Sequence, residues 1–265
     1  MLAQQRQAVI LEQIRMTGGV RVSELTDVLG VSDMTVRRDL ETLAARGMLE
    51  KVHGGATAIP QHSTDEPGFE AKSSLEQPEK EGIAGRAAAL VRPGTAIAIS
   101  AGTTTWALAR QLGDVPQLTV VTNSIPVAEI LYRIGRPDQT VVLTGGIRTP
   151  SNALVGPVAV NALRHLHVDL LFMGVHGMDQ RRGFTTPNLM EADTNRALME
   201  AARKVVVVAD HTKWGVVGLS SIAALSEADV LITDDELAPE VRDALAAQVG
   251  ELVVAAAIRG NEAAG

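Results

Sequence analysis

Residues 22–56 read VSELTDVLGVSDMTVRRDLETLAARGMLEKVHGGA, and they decide how the N-terminal part of the chain folds. An apolar stripe at Leu25, Val28 and Leu29 predicts a short helix with Ser23 as N-cap and Gly30 as its stop. Val31 packs the turn, and Ser32 caps a second helix whose core face is Val36, Leu40 and Leu43. The opposite face carries Asp33, Met34, Thr35, Arg37 and Arg38 near the helix start. That is the part of a helix that meets base edges and phosphates when it lies in the major groove. Nothing in the packing pattern requires two adjacent arginines there, so Arg37 and Arg38 are read as DNA contacts, one to a base and one to a phosphate in either order. Lys51 and His53 follow in a β-wing, where flanking phosphates are within reach, although His53 serves equally well to pack the wing. The pattern is a winged helix-turn-helix.

Working outward, residues 4–16 predict a first helix, with Ile10 and Ile14 on one face and Gly18-Gly19 as its stop. Its Arg6 reads as a solvated surface arginine, with a phosphate contact as the alternative. The helix-turn-helix resembles the winged regulators named after the deoxyribose operon repressor, the DeoR family. The likeness is carried by VSDMTVRRDL at 31–40, then Leu43, Gly47 and the HGGA of 53–56.

The chain has 265 residues, enough for such a module at 1–58 and one sizeable α/β domain at 79–258. Between them 59–78 reads as a linker, rich in Gln, Ser, Asp, Glu and Pro and without periodicity, and 259–265 as a disordered tail. No cysteine is present, which excludes disulfides, thiolate metal sites and a cysteine nucleophile. His165 and His167 lack neighbouring ligand types, so no metal is expected. The start of the chain has no signal-peptide pattern and no apolar run is of membrane-spanning length, so a cytoplasmic protein with no membrane partner is expected. A net charge of −7 argues against nucleic acid until the chain is divided: 1–58 holds seven basic and seven acidic residues, leaving the whole deficit to the rest. A neutral module with clustered arginines suits site-specific DNA binding.

An amphipathic helix is predicted from Glu79, with Ile83, Ala87, Leu90 and Val91 on one face. Apolar runs at 95–100, 118–122, 140–143, 168–173, 205–209, 230–233 and 252–256 then alternate with helical stretches at 103–113, 125–135, 153–166, 187–203 and 237–248. Unalternated Val/Ile/Leu runs are strands buried on both faces, which predicts a mostly parallel, Rossmann-like sheet covered by helices. Ligands bind such sheets beyond the carboxyl ends of the strands.

Those ends are chemically loaded. The first carries Ser100, Gly102, Thr103, Thr104 and Thr105 into a helix start, a combination of close backbone, hydroxyls and helix dipole that cradles phosphate. A threonine-rich N-cap without a ligand is the plainer alternative. Asn123 follows the second strand, Gly145, Gly146 and Arg148 the third, His176, Gly177 and Asp179 the fourth, and Lys213 the fifth. Five loaded ends on one edge point to a binding site. No G-x-G-x-x-G or Walker lysine is present, so no dinucleotide or other cofactor is expected.

The segments AGTTT, VTNS, LTGG, GVHGMD, GFTTPNLME and ADHTKWG extend the family resemblance to about residue 235. They look like the effector-binding domain of the same regulators, which is similar to ribose-5-phosphate isomerase and CoA-transferase folds and senses a phosphorylated sugar or related metabolite. The resemblance implies that 102–105 hold a phosphate, that Asp179, Glu191 and Lys213 face the sugar, and that Arg148 adds an anion contact. His176 stands where a small polar or acidic residue is common, which implies altered ligand preference or pH sensitivity near neutrality. The expected function is a homo-oligomeric, dimeric or tetrameric repressor of a sugar operon. The alternatives are an activator of the same architecture or an isomerase using Glu191, Asp179 and Lys213 for proton transfer. Fold likeness alone is weak support for an enzyme, so none is expected.

Overall fold

Gly30 and Ser32 punctuate the helix-turn-helix of the computed structural model, which describes residues 2–17, 19–57, 63–66 and 68–258. The chain forms two compact units, Met1–His62 and Ser63–Gly265. In the first, the order is α1 (Ala3–Thr17), β1 (Gly19–Arg21), α2 (Val22–Leu29), α3 (Asp33–Ala45), β2 (Glu50–Val52) and β3 (Gly55–Thr57). Gly30 closes α2 at φ 62°, a left-handed conformation that glycine adopts without a Cβ clash. The Ser32 hydroxyl accepts from the Thr35 N–H and caps α3. Val36, Leu40 and Leu43 are buried against Ile10, Ile14, Leu25 and Leu29, as their spacing implies. Three strands in the order β1-β3-β2 make the wing. Gly55 lies so close to β1 that a Cβ would meet the Val20 carbonyl oxygen at 2.0 Å.

Three sequence expectations for this unit change. The N-cap of α2 is Arg21, whose N–H donates to the Glu24 carboxylate at 3.1 Å, so Ser23 is inside the helix. Val28 is 58% exposed and belongs to no core face. Arg6 is neither solvated nor free for a phosphate, since its guanidinium donates to the buried Asp39 carboxylate at 2.7 Å, with Gln7 on the other oxygen at 3.2 Å. The polar staple ties α1 to α3, and periodicity cannot show it because it uses the charged positions.

The second unit opens with α4 (Phe69–Ser73) and α5 (Gln77–Ala88), then β4 (Ala96–Ile99), α6 (Thr103–Arg110), β5 (Thr119–Thr122), α7 (Ile125–Ile134) and β6 (Thr140–Leu143). After it come β7 (Ile147–Arg148), β8 (Leu154–Val155), α8 (Pro157–Leu163), β9 (Val168–Gly174), β10 (Gly177–Asp179), β11 (Gly183–Thr186) and α9 (Leu189–Ala201). The chain ends with β12 (Ala202–Val208), β13 (Ser220–Ala223), β14 (Val230–Asp234), α10 (Pro239–Ala246) and β15 (Leu252–Ala255). The seven expected strands pair throughout in parallel, in the order β15-β14-β12-β9-β4-β5-β6. One apolar cluster centred on Leu171, Met173 and Val207 packs one face, and another on Ile97, Phe172 and Val206 packs the other. Successive strands run outward from β4 in one direction and from β9 in the other. The β4/β9 boundary is therefore the switch point at which open α/β sheets bind ligands.

Other features were not legible. β6 is an edge strand with Val142 and Leu143 exposed, although its TVVL reads as doubly buried. The short antiparallel sheet β10-β11-β13 has no sequence signature, its strands being three or four residues long. His165 and His167 lie beyond the end of α8, not on a helix. Leu90, placed on the core face of α5, is 37% exposed and past the helix end. The expected linker, outside 59–62 and 67, is ordered as part of the second unit and contains α4, a helix too short to show a period. Residues 259–265, expected as a tail, lie outside the described residues. No described helix is long and apolar enough to cross a membrane.

Candidate functional site

In the N-terminal unit the outward face of α3 presents Asp33, Met34, Arg37 and Arg38, with Met34 78% exposed. Arg37 donates bidentately to Asp33 one turn earlier, which raises the guanidinium further above its ordinary value. Arg38 makes no ion pair within the described residues. Lys51 pairs with Glu41 at 3.0 Å and His53 stands exposed in the β2–β3 turn. The helix thus offers one cation already held and one unheld, beside a wing with a third. Thr35 is partly occupied, because its hydroxyl is 2.9 Å from that of Ser32.

In the second unit the strand ends of β4, β9 and β12 converge. Gly102 opens α6 with no side-chain cap, and a Cβ there would stand 3.9 Å from the Gly174 Cα after β9. Around this point burial has collected charge. Lys72 and Lys80 are both driven down by burial, Lys80 to about 8, although Glu191 and Asp210 respectively oppose the shift. Burial pushes the Glu191 carboxyl up to about 7 against the pull of Lys72. For Asp210 burial acts upward, but Lys213, Lys80 and the Thr212 hydroxyl outweigh it and hold the carboxyl below its usual range. The Lys213 ammonium is 3.7 Å from Asp210. Glu66 receives the Asn188 amide at 3.1 Å, while its other oxygen is buried without a hydrogen-bond partner, as is one oxygen of Asp210. Ammoniums beside acceptors that lack hydrogen bonds can hold an anion with hydroxyls attached.

A model of the DeoR-like helix-turn-helix domain matches residues 6–62, and one of the DeoR C-terminal sensor domain matches 75–235. The transcriptional regulator YgbI of Escherichia coli strain K12 is 38% identical over 96% of this chain and 99% of its own length. The glycerol-3-phosphate regulon repressor of the same strain is 32% identical over 87% of this chain and 90% of its own. This chain belongs to the DeoR family. Ribose 5-phosphate isomerase A from Neisseria gonorrhoeae is a distant structural likeness, at 18% identity and a TM-score of 0.38 over 60% of this chain and 58% of that one, too low to transfer an activity.

Within this DeoR-family sensor His176, Glu191 and Lys213 all lie within the electrostatic reach of Lys72, and Gly102, which opens the helix start carrying Thr103 and Thr104, approaches Gly174, two residues before His176. Thr105 is fully buried, with its hydroxyl on the Gly102 carbonyl. Ser100 accepts from the Gly174 N–H, and Asn123 bridges the Ala101 N–H to the Leu154 carbonyl, so both are buried supports of the strand-end loops. Gly177 and Gly146 allow close backbone approach, their Cβ positions falling 2.0 Å from the Val216 oxygen and 2.6 Å from that of Val155. Gly145, at φ 72°, turns the chain beside them. Arg148 bonds Asn152 on an exposed groove rimmed by Phe69, Trp106 and Ile125. Asp179 accepts from the N–H groups of Arg181 and Arg182 and caps the β10–β11 turn, apart from the lysine cluster.

The expectation of pH sensitivity at His176 is corrected. Burial, then Lys72 and Lys213, push its imidazole down to about 4, so it is neutral throughout the physiological range. In this cluster burial brings Glu191 up to about 7 and Lys80 down to about 8, both towards neutrality. Sequence reading missed Lys80, Lys72 and Glu66. Lys80 sits on a helix read only for its apolar face, and the other two sit in the stretch read as a linker. The one available signal was two lysines, eight apart, bracketing an acidic stretch just before the first strand.

Proposed function

We propose that the chain is a repressor of a sugar-metabolism operon whose operator affinity is set by a phosphorylated sugar or polyol at the strand ends of the sensor unit. The carrying observation is the gathering of Lys72, Lys80 and Lys213 with Glu66, Glu191 and Asp210 beside the uncapped start of α6 at the β4/β9 switch point. Taking so many charges out of water costs stability, and a ligand that needs both cations and acceptors is the physical reason to keep them. The relative named as a glycerol-3-phosphate regulon repressor supports this class of effector. On DNA, Arg37, Arg38, Met34 and Thr35 would read the major groove, with Ser32 and Asp33 at the helix start and Lys51 and His53 on flanking phosphates. A homo-oligomer would place two modules on paired half-sites. The edge strand β6 leaves Leu143 exposed near Ile147, Val158 and Met190, an apolar edge that a second copy would cover. A monomer in sedimentation on operator DNA would remove that part.

The test is to select an operator from random-sequence DNA, measure its affinity by fluorescence anisotropy, and add a panel of sugar and polyol phosphates with their unphosphorylated forms. One phosphorylated compound should change operator affinity by roughly 5- to 150-fold while its unphosphorylated form does not. An affinity that no phosphorylated compound moves would overturn the effector assignment. A second reading, proton transfer next to a carbonyl, is favoured only by Glu191 being poised near pH 7 beside Lys72. Turnover of a pentose phosphate that is lost in Glu191→Gln would establish it.

A further inference from the structure

The stretch that sequence reading treats as a linker contributes a cation to the strand-end cluster, and it is the part of the sensor unit nearest in sequence to the wing. Ser63 and Glu66 anchor its first part, the Ser63 carbonyl accepting from the Leu219 N–H at 2.7 Å and Glu66 from the Asn188 amide at 3.1 Å, and beyond them the attachment is thin. Helix α4 has five residues, of which Phe69, Lys72 and Ser73 are half-buried and the others exposed. Phe69 stands edge-on to Trp106 at 5.9 Å and donates its N–H to the Pro150 carbonyl at 3.2 Å. Lys72 reaches the Ser151 hydroxyl at 3.0 Å. The Lys80 ammonium holds the carbonyls of Lys72 and Leu75 at 2.8 and 2.5 Å. Glu76, where the segment meets α5, has a left-handed φ of 49°, a conformation that costs a non-glycine residue roughly 1 kcal/mol or more and is found at bends that neighbouring contacts hold in place. A segment held by a few polar contacts and half-buried apolar side chains, with none fully buried, lies towards the low end of local stability.

The three ammoniums differ in what already holds them. Lys80 is committed to two carbonyls of the segment. Lys213 and Lys72 each donate to one hydroxyl, of Thr212 and of Ser151, and each has carboxylates nearby, Asp210 for Lys213 and Glu191 with Glu66 for Lys72. Lys72 is the one of the three carried by the thinly held segment, and it keeps donors for an anion. We infer that residues 68–76 are a sensing arm: Lys72 contacts the anionic group of the effector, and occupancy fixes the arm on the sensor unit, reinforcing the Ser63 and Glu66 anchors that precede it on the side of the wing. This rests on the reading that the strand-end cluster binds a phosphorylated effector. The coupling needs no rearrangement of the sheet, because the ligand binds the closed arm more tightly than a loosened one, and that difference is the whole coupling energy.

The test is hydrogen exchange on the full-length protein with inorganic phosphate as probe, against chloride at equal ionic strength, alongside operator affinity under both conditions. Phosphate should slow exchange of the arm amides by roughly threefold or more, together with those of 102–106, and should shift operator affinity. In Lys72→Met the protection of 102–106 should persist while arm protection and the operator shift disappear. Lys72→Arg, which keeps the charge, should restore part of both. Protection of 102–106 with an unchanged arm would overturn the arm and leave the effector site standing. An operator shift that survives in Lys72→Met would also overturn the arm. Protection nowhere would overturn both readings. The wild-type comparison decides between these outcomes even where a variant fails to fold.

Discussion

On the outward face of α3 the charged groups stand in water, and Asp33 and Arg37, one helical turn apart, are each more than half exposed. At the strand ends of the sensor, Glu66 and Lys72, Lys80, Glu191, and Asp210 with Lys213 come from four separate stretches and are largely withdrawn from water. An exposed pair contributes little to folding, so the α3 face is free to be specified by what it binds. A withdrawn cluster is costly, and each member holds another's charge in place. Substitutions on α3 should therefore change binding without stability, whereas those in the cluster should change both.

The largest effect should come from the α3 face. Replacing both Arg37 and Arg38 with Ala should weaken binding to a selected operator by about 100-fold or more, at ~1–3 kcal/mol per lost contact, with a melting temperature near the wild type. Anisotropy and circular-dichroism melts read the two quantities, and a clear loss of melting temperature would break the contrast. Next is Glu191. Its carboxyl, raised from an ordinary 4.5 to about 7, binds a proton more tightly folded than unfolded. Stability should thus fall as pH rises from about 4.5 to 7, and Glu191→Gln should flatten that fall by about 1–3 kcal/mol. Lys80, lowered from 10.5 to about 8, works the other way, so its contribution improves as pH rises through that interval. Urea titrations across pH measure both, and a Glu191→Gln profile parallel to the wild type would show that the carboxyl is not withdrawn from water. The smallest effect should be Asp33→Ala. Freeing Arg37 should tighten non-specific DNA binding a few-fold and steepen its salt dependence. No change would mean that Arg37 leaves Asp33 at no cost.

The winged module was readable because its determinants are local. Val36, Leu40 and Leu43 lie within two turns, and the caps at Gly30 and Ser32 adjoin the elements they close. The seven sheet strands were readable for a related reason: strands buried on both faces must be apolar throughout. Where the readings failed, a distant partner decided. Arg6 is drawn partly out of water because Asp39, 33 residues away, is there to receive it. β6 is exposed because no strand lies beyond it, which its own four residues cannot express. At the site, the 102–105 turn announced itself through glycine and hydroxyls adjoining a strand. Lys72 and Glu66 stayed hidden, since nothing in a short polar stretch indicates which buried charge it will meet.

The sequence by itself determined a winged helix-turn-helix, a parallel α/β domain and the edge of the sheet at which its glycine, hydroxyl and charged strand ends gather. Period, caps and composition act over a few residues, and that range suffices for these. Only the tertiary structure decided that the switch point of the sheet falls between β4 and β9, that Asp179 is spent on a turn and that the supposed linker carries Lys72 into the charged cluster. Strand order and the pairing of buried charges depend on contacts between residues far apart in the chain, and the energies that settle them exist only once those residues have left water together.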